Sequence, residues 1–288
     1  MIKSSSIVTC FMLAIWLASI PMISSASDRN TNSQARVITT NICIDSLVFA
    51  LIGTENLIAV SALADDERYS YISEEVKDLQ KVTFNAEMIY ALNPSLVLAS
   101  NFASAKTKSA LEKLGVNVRL ISFARSIKDI EKNIFILGKL LNAESQAQKL
   151  TSLLKFSRVT APNTKQLIAL QYSTNRFVHG YNSLISNIII RSGFKSYSKF
   201  LGYNGGRYVS AEALVKSAPD VLILDGDKSF SDKSGSPLYH PALLKGRSKT
   251  KALFIKTKYW SCGTPKVVDL ITRLSSEYIK LVGQNNAS

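Results

Sequence analysis

The chain has 288 residues, 46% of them hydrophobic, which suffices for one large domain or two of ordinary size. Its formal charge of +14 is scattered, without a basic run of five or more, and so excludes the clustered footprint of a nucleic-acid binder. Two histidines are too few for an all-histidine metal cage.

Residues 1–26 read as a secretory signal peptide. Lys3 supplies the positive start, Ile7–Ile23 is almost wholly apolar, and Ser24-Ser25-Ala26 offers small residues for cleavage. Pro21 and the small residues before Asp28 argue against a membrane helix, and Cys10 lies too early in the apolar stretch for lipidation. No later segment reaches the roughly 18 apolar residues that a span requires. The expectation is an exported, soluble protein beginning near Ser27. It keeps Cys43 and Cys262, whose pairing the sequence leaves open.

An N-terminal α/β lobe is expected over residues 27–125. After a loose polar leader come a strand at Arg36–Thr40, a helix beginning near Asp45 and ended by Gly53, and a strand at Leu57–Ser61. The loop Ala64–Glu75 is charged and aromatic and shows no core pattern. Residues 85–99 then read NAEMIYALNPSLVLA. Asn85 caps a short helix, Glu87 sits in its first turn, Pro94 marks its end, and Leu96–Ala99 fits a strand buried on both faces. An exposed loop carrying Phe102, a helix over 105–114 stopped by Gly115, and a strand at Val116–Ile121 complete the lobe.

From Ser126 the pattern turns helical through Ile127, Ile130, Ile134, Leu137 and Leu141, breaks at Asn142, and resumes with Ala147, Leu150 and Leu154. Residues 126–160 thus read as a stiff helical connector. The C-terminal lobe, 161–288, opens with a strand at Gln166–Tyr172, a glycine-containing loop at Phe177–Asn182, and a helix from Ser183 to Gly193. Residues 197–209 are rich in Gly and Tyr and read as irregular. Residues 210–224, SAEALVKSAPDVLIL, then repeat the earlier unit. Ala86-Glu87 returns as Ala211-Glu212 and Pro94 as Pro219, each 125 residues further on. A polar loop at Gly226–Pro241, a strand at Lys251–Lys256, the loop Tyr259–Pro265 and a final helix with Val268, Ile271 and Leu274 follow. The fold class is therefore α/β: two Rossmann-like lobes with central parallel sheets, joined by a rigid interdomain helix.

In such sheets the loops beyond the carboxyl ends of the strands contact ligands. The residues placed there give an expected ligand-binding set of Asn41, Cys43, Tyr69, Tyr71, Phe102, Arg176, Phe177, Tyr181 and Trp260. If the lobes face each other, this aromatic, amide-rich content suits a bulky ligand, although plain packing competes for each aromatic taken singly. No GxSxG elbow, Walker loop or HExxH helix is present, so no catalytic residue is assigned. A metal site from His179, His240, Cys43 and Cys262 would lack the short spacings of metal motifs; neither a bound cofactor nor a protein-held metal is expected.

Taken in order, RVITTNICIDSL (36–47), FNAEMIYALNPSLVLAS (84–100), RYVSAEALVKSAPDVLIL (207–224) and YWSCGTPKVVDLI (259–271) resemble the periplasmic substrate-binding proteins of ABC importers for cobalamin, ferric siderophores and related iron chelates. The resemblance implies a monomeric periplasmic protein that holds a metal chelate (cobalamin, a ferric siderophore or heme) between its lobes, closes little on binding, and performs no covalent chemistry. It also implies that Glu87 and Glu212 dock on arginines of the two subunits of an inner-membrane permease. Nucleic acid is not an expected partner. Two other readings stay open here: an exported enzyme, such as a hydrolase or metal-chelate reductase, using the same cleft, and a binding module for cell-surface material or a partner protein.

Overall fold

Side chains of successive strand residues point to opposite faces, and this alternation organises the whole molecule. The computed structural model describes residues 35–155, 166–173, 175–216, 219–226 and 250–285. The expected signal peptide and most of the loop at 226–241 lie outside these residues. Among the described residues, no helix is long and apolar enough to cross a membrane.

The first sheet contains β1 (Val37–Thr39), β2 (Leu57–Ser61), β3 (Gln80–Val82), β4 (Leu96–Ser100) and β5 (Val118–Ile121). Its order is β3-β2-β1-β4-β5, parallel throughout. The second contains β6 (Ile168–Tyr172), β8 (Lys195–Ser196), β10 (Val221–Asp225) and β11 (Lys251–Ile255) in the order β11-β10-β6-β8, again parallel. Apart from both, β7 (Phe177–Val178) and β9 (Arg207–Tyr208) pair antiparallel.

Each sheet buries both faces. Leu96 and Leu98 of β4 enter one hydrophobic core and Val97 enters another. Val221 and Ile223 of β10 enter that same first core, whereas Leu222 and Leu224 enter a third. The first core is therefore common to both sheets, and the other two are private to one lobe each. Continuous apolar runs at 96–99 and 221–224 are the sequence mark of this two-sided burial.

The shared core is built around α4 (Ile127–Leu140), whose cap Ser126 accepts a hydrogen bond from the N–H of Asp129. Ile127, Ile130, Ile134 and Leu137 are fully buried in it. The helix packs against α1 (Ile42–Ile52) of the first lobe and α6 (Leu184–Arg191) of the second. Polar ties assist: Asn133 Nδ2 donates to the Ser122 carbonyl at 2.8 Å, and the Ile127 N–H donates to Asn187 Oδ1 at 3.3 Å. At Asn142 the backbone takes φ 53°, a left-handed conformation that asparagine tolerates better than most residues. There the chain reverses, so that α5 (Glu144–Lys155) lies against α4. Gly138 makes the approach close, since a Cβ there would stand 2.6 Å from that of Ala147.

The repeated unit folds alike in both lobes. Asn85 accepts from the Met88 N–H at the start of α2 (Ala86–Ala91), and Ser210 Oγ accepts from the Ala213 N–H at 3.2 Å to open α8 (Ala211–Lys216). Several local expectations are corrected. Helix α1 begins at Ile42 and not near Asp45, because the Asn41 side chain accepts from the Cys43 N–H and caps it three residues earlier. Strand β3 had no apolar run to announce it; as an edge strand it buries only Val82. The segment 64–75 does contribute to the core, through buried Ala64 and Ile72, spaced too widely for either period to register. Phe177-Val178 is a strand, and the irregular stretch 197–209 holds α7 (Tyr197–Phe200) as well as β9.

Candidate functional site

Cys43, in the first turn of α1, is disulfide-bonded to Cys262, which precedes the final helix α9 (Val267–Asn285). The bridge spans 219 residues and joins the two lobes. Around it lie further contacts across the same seam. The half-buried Tyr71 hydroxyl lies near Ser46 of α1 and Thr264, and burial pushes the phenol up from its ordinary value. Ser261 Oγ donates to the Tyr69 carbonyl at 3.5 Å. Gly263 packs on Ala124 and Ile130. Beside the sulfurs, Asn41, Cys43, Ser100, Phe123, Asn133 and Gly263 line a cavity of about 30 Å³, room for about one water.

Two aromatic groups stand further out. After β4 and β5, Phe102 is 73% exposed and its ring centre lies 6.3 Å from that of half-exposed Phe123. Asn101 Oδ1 holds the second loop by accepting from the Phe123 N–H at 3.2 Å. Tyr69 is exposed under the Arg68 guanidinium, 5.3 Å from its ring centre. In the second lobe, Phe177 meets His179 and Tyr208 edge-on, at 5.0 and 5.4 Å. Tyr208 is 74% exposed, and burial pushes His179 below its ordinary value, which favours the neutral ring. Arg176 is exposed at φ 65°, with its carbonyl accepting from the Val209 N–H at 3.0 Å. Tyr181 is half-buried, its N–H donating to the Tyr203 carbonyl at 2.8 Å.

Trp260 takes a different place. It is 2% exposed within the shared core, with its indole near the Asp225 carboxyl. A ligand would therefore meet its neighbours and not the ring. Cys43 remains partly exposed, but its sulfur is committed to the bridge. Glu87 and Glu212 are exposed, each in the first turn of its short helix.

Polar groups not singled out in the sequence occupy the carboxyl ends of both sheets. Gln171 Nε2 donates to Asp225 Oδ1 at 2.8 Å and to Ser173 Oγ at 2.9 Å, and burial pushes the Asp225 carboxyl up. In the first lobe, Asp45 is fully buried on α1, where the N–H and hydroxyl of Ser61 both donate to it. Burial pushes Asp45 up to about 6. A carboxylate inside an apolar helix was the available signal, though a helix-start role explained it equally well. Among the described residues, no three His, Cys, Asp or Glu side chains converge as a metal site would require.

The sequence profile of the family described as periplasmic binding protein matches residues 37–235. Solved structures share the fold. The chain is 21% identical to the periplasmic heme-binding protein RhuT from Roseiflexus sp. RS-1, with a TM-score of 0.69, covering 84% of this chain and 98% of that one. For the periplasmic heme-binding protein HutB of Vibrio cholerae the identity is 17% and the TM-score 0.71, with the same coverages of 84% and 98%. For a periplasmic heme-binding protein from Pseudomonas aeruginosa they are 19% and 0.62, covering 84% and 92%. No curated protein matches the sequence at significance.

Proposed function

The chain belongs to the periplasmic binding protein family, and from that premise we propose that it captures a flat metal chelate of the heme type between its lobes and delivers it to an ABC permease. The observation that carries the ligand class is the pair of exposed aromatic groups, Phe102–Phe123 in one lobe and Phe177–Tyr208 in the other, beyond the carboxyl ends of the two sheets. A conjugated macrocycle presents two apolar faces, and each well-placed ring contact adds about 0.5–1.5 kcal/mol beyond the area it buries. Arg176 and the basic surface suit the acidic edge groups of such a chelate. The heme-binding neighbours agree with this choice.

Delivery requires orientation. One carboxylate per lobe, Glu87 and Glu212, on an otherwise basic protein marks two corresponding points for a two-fold partner, and charge-assisted pairs would fix the docking angle. The proposed location is the periplasm, and the permease performs the transport.

Titration of the purified protein with hemin, cobalamin and a ferric hydroxamate, followed by absorbance and native mass spectrometry, tests the ligand class. Hemin should bind one-to-one with a shifted absorption band, and replacing Phe102 and Tyr208 together by Ala should weaken it about tenfold, or about 1.4 kcal/mol. Failure of hemin to bind, with a different solute retained, would overturn the assignment.

A further inference from the structure

We propose that the Cys43–Cys262 disulfide is a latch across the floor of the inter-lobe cleft, fixing the spacing of the lobes and slowing release of the bound ligand. The ligand part rests on the reading of the protein as a solute carrier; the mechanical part does not.

Cys43 is on α1, which packs on the first sheet, and Cys262 is on the segment between β11 of the second sheet and α9. Residues 261–263 of that segment each touch the first lobe, Ser261 through the Tyr69 carbonyl, Cys262 through the bridge and Gly263 through Ala124, and Thr264 lies near the Tyr71 hydroxyl. Behind them, the shared core around α4 joins the lobes by apolar packing alone over most of its extent. The bridge is thus the covalent member of a seam whose other polar members are hydrogen bonds, each worth only about 1 kcal/mol net. The shared apolar core limits wholesale motion of the lobes, so the freedom left to the seam is local opening at its rim, and a disulfide forbids separation at its own position.

The seam also borders the ligand side. The cavity lined by Asn41, Cys43, Ser100, Phe123 and Gly263 places the bridge next to the loop after β5, whose Phe123 pairs with Phe102 of the loop after β4. Any opening that widens this floor moves Phe123 away from the second lobe. With the bridge closed, a flat ligand must leave by sliding out between lobes of fixed spacing.

The experiment compares native protein, native protein reduced with TCEP, and the variant C43S/C262S. Hydrogen exchange of the ligand-free proteins reads residues 69–73 and 259–264, and transfer of bound hemin to apomyoglobin reads release. A control, Leu137→Val, lowers stability by about 1 kcal/mol with the bridge intact. Faster exchange in both segments and release about tenfold faster without the bridge, with the control releasing at the native rate, is the expected result. Loosening confined to 259–264, or an unchanged release rate, would overturn the latch. If no form binds hemin, the ligand reading fails, and exchange at 69–73 alone decides whether the lobes are latched.

Discussion

Gly263 and Ala124 meet across the two lobes with no room for a side chain on the glycine: a Cβ there would stand 2.6 Å from the Cβ of Ala124 and 3.0 Å from Cγ1 of Ile130. The glycine is required by space, because its neighbours are core atoms that cannot swing away. Gly263→Ala should therefore cost about 1–3 kcal/mol through overpacking. Ala124→Gly in the same chain should restore part of the loss. Urea unfolding of the two single variants and the double would show this as a coupling between the sites; strictly additive effects would mean that the contact is not felt.

A second expectation concerns pH. Burial lifts Asp45 to about 6 from its ordinary value of 3.8, against the opposing pull of Ser61 and Lys81. The folded protein thus binds this proton more tightly than the unfolded chain. Between about pH 4 and 6 the unfolded state carries fewer protons at this site, so its contribution to stability falls as pH rises, by about 2–3 kcal/mol in all. Asp45→Asn has no proton to lose, and its stability should be flatter than wild type over that window. Equal slopes for both proteins in chemical unfolding at pH 4, 5, 6 and 7 would contradict the assignment.

The proposed docking role separates from ligand capture. Glu87→Lys and Glu212→Lys, singly and together, should leave hemin affinity unchanged because both side chains are exposed on short helices. Uptake through the cognate permease should fall with each reversal and cease in the double variant, since the altered charge then repels the arginines it is expected to meet. Normal uptake by the double variant would remove the role.

Much of the framework was legible because its signals are local. Ser126, Asn85 and Ser183 cap helices at the positions read from the sequence. Gly53, Gly115 and Gly193 all take positive φ where helices end. The recurrence of Ala-Glu and Pro at a fixed offset marked two copies of one helix-and-strand unit. Where reading failed, the cause was equally specific. Strand β3 is mostly polar, so only its partner β2 makes it a strand. Ile72 gains its burial from the core that its loop closes over, and nothing within one turn of it indicates that.

The candidate site was legible only as a set of loops. Strand ends pointed to Phe102, Arg176 and Phe177, but the same rule placed Trp260 among them, and the structure puts that ring inside the core with Asp225. Tyr208 and Phe123 were missed because neither stands out in its local pattern; each acquires meaning from the ring beside it.

By itself, then, the order of residues determined the alternation of helices and strands, the duplication, and the two-sided burial of the central strands, because caps, stops and periods act over a few residues of chain. Tertiary structure alone decided that Cys43 meets Cys262, that α4 serves a core common to both lobes, and that Asp45 lies buried. Those outcomes depend on bringing together groups as far as 219 residues apart. Such meetings are set by how two finished lobes pack, and no local preference encodes them.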